Sequence, residues 1–241
     1  SDCSSAGLIR VASLSDIEKL DYTNLDNTEL SEKLLVRYIS QGTLWKMGNM
    51  FQLSVELYDT KDKKVVWSDR WQEKWDNLPT IKGSLSEGLL KALDTNPKLE
   101  QKVDTTNAKA YELYLKAKYN WEKMGSGADY IESEQENIIR GLLKKSIDLD
   151  NNLLRAKLLL GQTYFFEDHG NKTLAIKARN IFEDILTTAE NENDKLYIGR
   201  SLRNIGNTYW EFDKQMANDY YIRAFEVSKE INDKIIKLFH T

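Results

Sequence analysis

The hydrophobic and polar positions of this chain follow two periods, and the period changes near residue 105. Residues 51–57 alternate apolar and polar side chains, which is typical of a strand with one covered face. From Asn107 onward apolar residues recur every three to four positions, as they do on one face of a helix. The pattern predicts an α+β domain over residues 1–98 and an all-α domain over residues 105–241.

The α+β domain is predicted to contain an antiparallel meander of three strands, at residues 36–46, 50–58 and 63–71. Short turn-type segments separate these strands, as in β-hairpins. A short strand is expected at residues 8–13 and a helix at residues 28–35. The helix after Pro79 is expected to cover the sheet, with Gly83 and Gly88 permitting close packing.

The all-α domain carries an internal repeat. Residues 160–164, Leu-Gly-Gln-Thr-Tyr, recur as Ile-Gly-Asn-Thr-Tyr at residues 205–209, a separation of 45 residues. A glycine where two helices cross and a tyrosine one turn later are typical of tetratricopeptide (TPR) hairpins, although the standard period is about 34 residues. We expect about three such hairpins, followed by a short terminal helix containing Ile235, Ile236 and Phe239.

Composition narrows the range of functions. The 241 residues carry a net charge of -4 with no strongly basic region, which disfavours nucleic-acid binding. No apolar run approaches the roughly 20 residues of a membrane helix. Cys3 is the only cysteine, His169 and His240 are too few for a metal cluster, and Asp148 with Asp150 suggests no cleft. We therefore predict no catalytic, metal or cofactor site.

A partner-binding groove is the sharper functional hypothesis. In stacked hairpins, the first helices line a concave surface with side chains that point away from the packing stripe. With the two repeated glycines aligned, these positions hold Arg155, Leu158, Gln162 and Phe165 in one repeat and Arg200, Arg203, Asn207 and Trp210 in the next. Arginine and tryptophan anchor interfaces well, so an acidic peptide or a chain carboxylate is the expected guest. An ordinary solvated helix surface is the alternative.

Four tryptophans, Trp45, Trp67, Trp71 and Trp75, fall in or beside the predicted meander. Strand aromatics usually pack across strands, and the alternative is a surface for a ligand or partner. We expect Trp67 in the core, whereas the sequence does not decide whether Trp71 and Trp75 are buried or exposed.

Residues 36–44 (Val-Arg-Tyr-Ile-Ser-Gln-Gly-Thr-Leu), 52–59 (Gln-Leu-Ser-Val-Glu-Leu-Tyr-Asp) and 66–71 (Val-Trp-Ser-Asp-Arg-Trp) resemble the TolB-like amino-terminal domain found in bacterial adenylate/guanylate cyclases. Together with residues 110–117 (Ala-Tyr-Glu-Leu-Tyr-Leu-Lys-Ala) and the repeats, nearly the whole chain resembles the carboxy-terminal, non-catalytic part of such a cyclase. The resemblance implies a regulatory protein-interaction region, with the cyclase domain of the same chain as a partner. A cytoplasmic location is expected, or an extracytoplasmic one if a membrane span precedes the region.

The family has a further strand and helix before the segment that matches residues 8–13, so the resemblance implies that the first domain is incomplete at its start. An uncovered sheet edge or apolar face would invite pairing with a second copy, as in a homodimer, or local disorder. Two other functions remain open: a small-molecule sensor that uses the aromatic face of the first domain, and an adaptor for transcription regulators or envelope complexes.

Overall fold

The computed structural model describes the chain in four stretches: residues 11–93, 105–124, 133–167 and 171–231. The chain divides into two compact units, unit 1 (residues 1–109 and 119–130) and unit 2 (residues 110–118 and 131–241). Residues 94–104, where the sequence places the domain boundary, lie outside the described stretches. The predicted order of an α+β part followed by a helical part is confirmed.

A three-stranded antiparallel sheet forms the framework of unit 1. Its strands are paired in the order β1-β2-β3, which confirms the predicted meander. Gly48, between the first two strands, has a φ of +57°, a conformation that glycine adopts without steric cost. The strands are β1 (Tyr38–Met47), β2 (Met50–Asp59) and β3 (Lys64–Lys74).

The described helices of unit 1 are α1 (Leu14–Glu18), α2 (Asn27–Leu34) and α3 (Leu78–Ala92), the last following a 3-10 turn (Trp75–Asn77). Helix α2 confirms the prediction for residues 28–35, and the Asp26 carboxylate caps it by accepting bonds from the Thr28 and Glu29 amides at 2.7 and 2.8 Å. The strand expected at residues 8–13 lies partly outside the described residues. Its described part, residues 11–13, has no strand structure.

Helix α3 packs on the face of the sheet that carries Phe51 and Leu57, and both side chains are buried. Close packing explains Gly88, since a Cβ there would lie 2.6 Å from a ring atom of Trp67. Gly83 differs from expectation, because the space around it is open. Only one of the two glycines is therefore required for the contact between helix and sheet.

Unit 2 consists of helices, to which α4 (Ala108–Met124) contributes its central residues. Neighbouring helices are antiparallel: the Ser146 hydroxyl donates to the Ala110 carbonyl oxygen at 2.7 Å, and Lys195 at the start of one helix pairs with Glu230 at the end of the next. The terminal helix expected around Ile235 lies outside the described residues. The remaining helices are α5 (Ser133–Leu149), α6 (Leu154–Glu167), α7 (Lys172–Asn191), α8 (Lys195–Tyr209) and α9 (Lys214–Ile231).

The glycine of each repeated pentapeptide lies against an aromatic ring on the following helix. Gly161 faces the ring of Phe182, and a Cβ on Gly206 would lie 2.7 Å from Tyr221 Cε1. Both glycines are buried. The close helix approach predicted from the repeat is confirmed at both places.

The threonine and tyrosine of each pentapeptide are held by an arginine from the preceding helix. Arg140 donates to the Thr163 hydroxyl and carbonyl oxygens at 3.2 and 2.7 Å, and its guanidinium carbon lies 4.4 Å from the centroid of the Tyr164 ring. Arg179 binds the corresponding pair in the next repeat. These contacts join α5 to α6 and α7 to α8 in the same way.

Candidate partner-binding surface

Helix α6 carries the first half of the predicted groove, and most of it is covered. Leu158 is only 9% exposed and belongs to a core cluster with Ala178 and Phe182. Its predicted place in an open groove is wrong, because α6 packs against both α5 and α7 and buries side chains on more than one face.

The other predicted residues of α6 are half-buried. The Arg155 guanidinium carbon lies 5.7 Å from the centroid of the Tyr114 ring, within cation–π distance. Phe165 packs against the core and meets Phe166 edge to face, with ring centroids 5.5 Å apart. Gln162 has intermediate exposure. This side of α6 offers partial exposure, but it is not a continuous free surface.

Helix α8 and Trp210 just after it carry the second half of the predicted groove, and two of these residues contact a tyrosine from α9. The Tyr221 hydroxyl donates a 2.9 Å hydrogen bond to Asn207 Oδ1. The Trp210 ring lies tilted against Tyr221, with centroids 6.3 Å apart. Arg203 is close enough for its charge to act on the Tyr221 hydroxyl. Sequence periodicity alone does not show this convergence.

The electrostatics of Tyr221 reflect this position. Burial raises the pKa of Tyr221, and the positive charge of Arg203 opposes that rise by stabilising the phenolate. The phenol is therefore a neutral hydrogen-bonding group at physiological pH. It orients the Asn207 amide and leaves the amide nitrogen of that side chain as a donor.

The Trp210 side chain is 50% exposed. The Lys214 ammonium lies 5.8 Å from the centroid of its ring. We call this group the Tyr221 cluster: Arg203, Asn207, Trp210, Lys214 and Tyr221. It combines two cations, an amide and a half-exposed aromatic ring, a set suited to a ligand that is both acidic and apolar.

Arg200, one turn before Arg203, is half-buried, and its backbone carbonyl accepts a 2.8 Å bond from Asn204. Sequence analysis missed two members of the cluster. Lys214 and Tyr221 both lie on α9, whereas the predicted groove is built from the first helices of the hairpins alone. Both would have required knowledge of how α9 lies on α8.

Of the four tryptophans in or beside the sheet, three are engaged in packing and Trp45 is exposed. Trp67 packs against Gly88, and its ring centroid lies 6.3 Å from that of Trp71, but it is half-buried rather than fully in the core as predicted. Trp75 meets Phe51 edge to face at 5.5 Å. Trp71 and Trp75 are both half-buried, whereas Trp45 is 68% exposed.

Within the described stretches, no group of three or more His, Cys, Asp and Glu side chains is arranged to hold a metal ion. His169 and His240 lie outside those stretches, and the absence of a metal or catalytic site stays a prediction. Asp150 Oδ1 accepts a 3.0 Å bond from the Asn152 amide, which is a turn contact. None of the described helices is long and apolar enough to cross a membrane.

No family model and no curated protein matches this chain.

Proposed function

We propose that this chain is a non-catalytic regulatory and protein-interaction region in which unit 2 is a TPR-like array that binds an acidic polypeptide segment. The glycine contacts of the repeated pentapeptides support the assignment of the array, because Gly161 and Gly206 each admit an aromatic ring from the following helix. The proposed binding surface is formed by α8 and the start of α9, and it includes Arg200 and the Tyr221 cluster.

One observation carries this proposal: Asn207 and Trp210 contact Tyr221, and the positive charge of Arg203 is near enough to oppose the rise in the pKa of that tyrosine. Arginine pairs with carboxylates through two parallel hydrogen bonds, and a half-exposed tryptophan supplies apolar area at small entropic cost. Partial burial fixes these side chains before binding, which reduces the cost of ordering them. The expected ligand therefore presents a carboxylate next to an apolar side chain.

The wider proposal follows the family resemblance. The region would belong to a bacterial nucleotide cyclase, on the cytoplasmic side, and partner binding would change how the attached cyclase domains associate. Such coupling requires two states that the partner binds with different affinity. A cyclase assay of this chain with ATP or GTP and manganese should give no turnover, and turnover by the purified chain would contradict the proposal.

Selection from a random peptide display library tests the proposed surface without a known partner. Wild type should enrich peptides that contain Asp or Glu beside an apolar residue. The Arg203→Glu variant should lose that enrichment, because a negative charge then faces the ligand. The matched control is Arg223→Glu, an exposed position on α9 outside the cluster, which should select the same peptides as wild type.

Two outcomes would contradict the proposal. One is selection without acidic enrichment by folded wild type. The other is acidic enrichment that persists unchanged in Arg203→Glu, since binding would then occur on a different surface. Circular dichroism of each variant provides the test of folding.

A further inference from the structure

The outer edge of β1 has few of the features that usually keep sheet edges apart. The strand has ten residues, pairs with β2 along its whole length and shows no bulge. Lys46 is its only charged residue. Among the described residues, no strand pairs with its other edge. An exposed, regular and nearly neutral edge of this length is a template for pairing with another chain.

The opposite edge of the same sheet provides a comparison. Strand β3 carries five charged residues, and its register with β2 is interrupted between Leu57 and Tyr58. Helix α3 also packs on this strand. Charges and irregular register both oppose edge-to-edge association. The two edges therefore differ, and in the part of the chain that the structure describes the β1 edge is the one without such protection.

The apolar side chains of β1 are unusually exposed for a sheet. Leu44 is 52% exposed, Trp45 68% and Met47 82%. Alternation along the strand places Trp45 and Met47 on one face of the sheet and Leu44 on the other, so exposed apolar side chains flank this edge on both faces. A paired strand also carries side chains on both faces, so one partner strand would contact the apolar side chains on either side of the edge.

We propose that β1 pairs antiparallel with β1 of a second copy, forming a six-stranded sheet across a two-fold axis. The strand suits itself better than a charged partner, because its surface is nearly neutral. Residues paired across two antiparallel strands point to the same face of the sheet. A two-fold axis between two copies of β1 must therefore place one residue opposite its own copy. The two central residues of β1 are Gly42 and Thr43. An axis at Thr43 pairs two β-branched residues, whereas an axis at Gly42 would place two glycines opposite each other.

With Thr43 opposite itself, large side chains meet small or polar ones. Leu44 lies opposite Gly42 of the second copy, and Trp45 lies opposite Gln41. Gly42 has no room for a side chain, since a Cβ would lie 2.7 Å from the Ser54 carbonyl oxygen. The absence of a side chain there leaves space for Leu44 of the other copy. Lys46 faces Ser40, so no like charges oppose each other.

Sedimentation velocity of the full chain over a wide concentration range tests the pairing. Wild type should shift from monomer to dimer as concentration rises. Thr43→Glu should stay monomeric, because two carboxylates would face each other at the axis. The control is Gln72→Glu, an exposed position on the same face of β3 opposite Gln52, which should dimerise like wild type.

A charge pair tests the position of the axis. Thr43→Lys alone should also be monomeric, whereas a mixture with Thr43→Glu should form a heterodimer. Failure of the mixture to associate would overturn the proposed register. Wild type that is monomeric throughout, or a Thr43→Glu dimer as strong as wild type, would overturn the pairing itself.

Hydrogen exchange identifies any other occupant of the edge. The proposal predicts that the outward-pointing amides of β1 become protected only as the dimer forms. Protection of these amides in a monomer would mean that another segment of the same chain covers the edge, and the proposal would be wrong. This inference concerns unit 1 and does not depend on the function proposed for unit 2.

Discussion

Arg179 holds Thr208 by two hydrogen bonds, from Nε to the hydroxyl oxygen and from Nη2 to the carbonyl oxygen, both of 3.0 Å. The guanidinium carbon also lies 3.4 Å from the centroid of the Tyr209 ring. Arg140 binds Thr163 in the same way. The arginine thus explains why threonine and tyrosine follow the glycine in both pentapeptides.

We expect Arg179→Gln to destabilise unit 2 by about 2 kcal/mol, because hydrogen bonds from a charged donor are lost and the threonine carbonyl loses a partner. Urea unfolding followed by circular dichroism measures the change. Arg223→Gln is the control, since Arg223 is exposed and lies 5.4 Å from the centroid of the Tyr220 ring. It should change stability by less than about 0.5 kcal/mol. Equal effects of the two variants would contradict the role of Arg179.

The glycine contacts predict opposite effects of one substitution at two helical sites. Gly206→Ala should destabilise by about 1–2 kcal/mol, because the new methyl group would overlap Tyr221 by more than helix propensity can offset. Gly141→Ala in α5 should stabilise by up to about 1 kcal/mol, since nothing lies within 4 Å of the added carbon. Urea unfolding tests both, and a stabilised Gly206→Ala variant would show that the close approach is not required.

The sequence predicted the repeat because its glycine, threonine and tyrosine recur at a constant separation of 45 residues. It could not predict the arginines, since Arg140 lies 23 residues before its threonine and Arg179 lies 29 before its own. Periodicity also misplaced Leu158, because the spacing of one apolar stripe does not reveal a second neighbouring helix. The Tyr221 cluster likewise depends on contacts between two helices.

Asp59 links the stability of unit 1 to pH. Its carboxylate accepts bonds from Arg37 at 3.2 and 2.7 Å and from the amides of Lys61 and Asp62, and the Arg37 bond is the main reason that its pKa falls to about 2. The ordinary pKa of an unfolded aspartate is about 3.9. The stabilisation is therefore complete above that value and is lost as the pH falls through the folded pKa.

We expect Asp59→Asn to lower the stability of unit 1 at neutral pH, with the difference from wild type shrinking between about pH 4 and pH 2. Tryptophan fluorescence during urea unfolding reports mainly on this unit, because five of the six tryptophans belong to it. Asp62→Asn, in the same turn, should keep the acid-sensitive stabilisation because Asp59 remains. A difference between Asp59→Asn and wild type that is independent of pH would contradict this account.

The most direct test of acidic-peptide binding at the Tyr221 cluster is a charge-swap measurement with one peptide selected by wild type. Its dissociation constant is measured for wild type and Arg203→Glu, first with the original peptide and then with its acidic residue replaced by lysine. The account predicts that Arg203→Glu raises the dissociation constant of the original peptide at least about tenfold. The lysine peptide should bind Arg203→Glu more tightly and so restore much of the lost affinity. Equal weakening of both peptides, or no effect of Arg203→Glu, would contradict it.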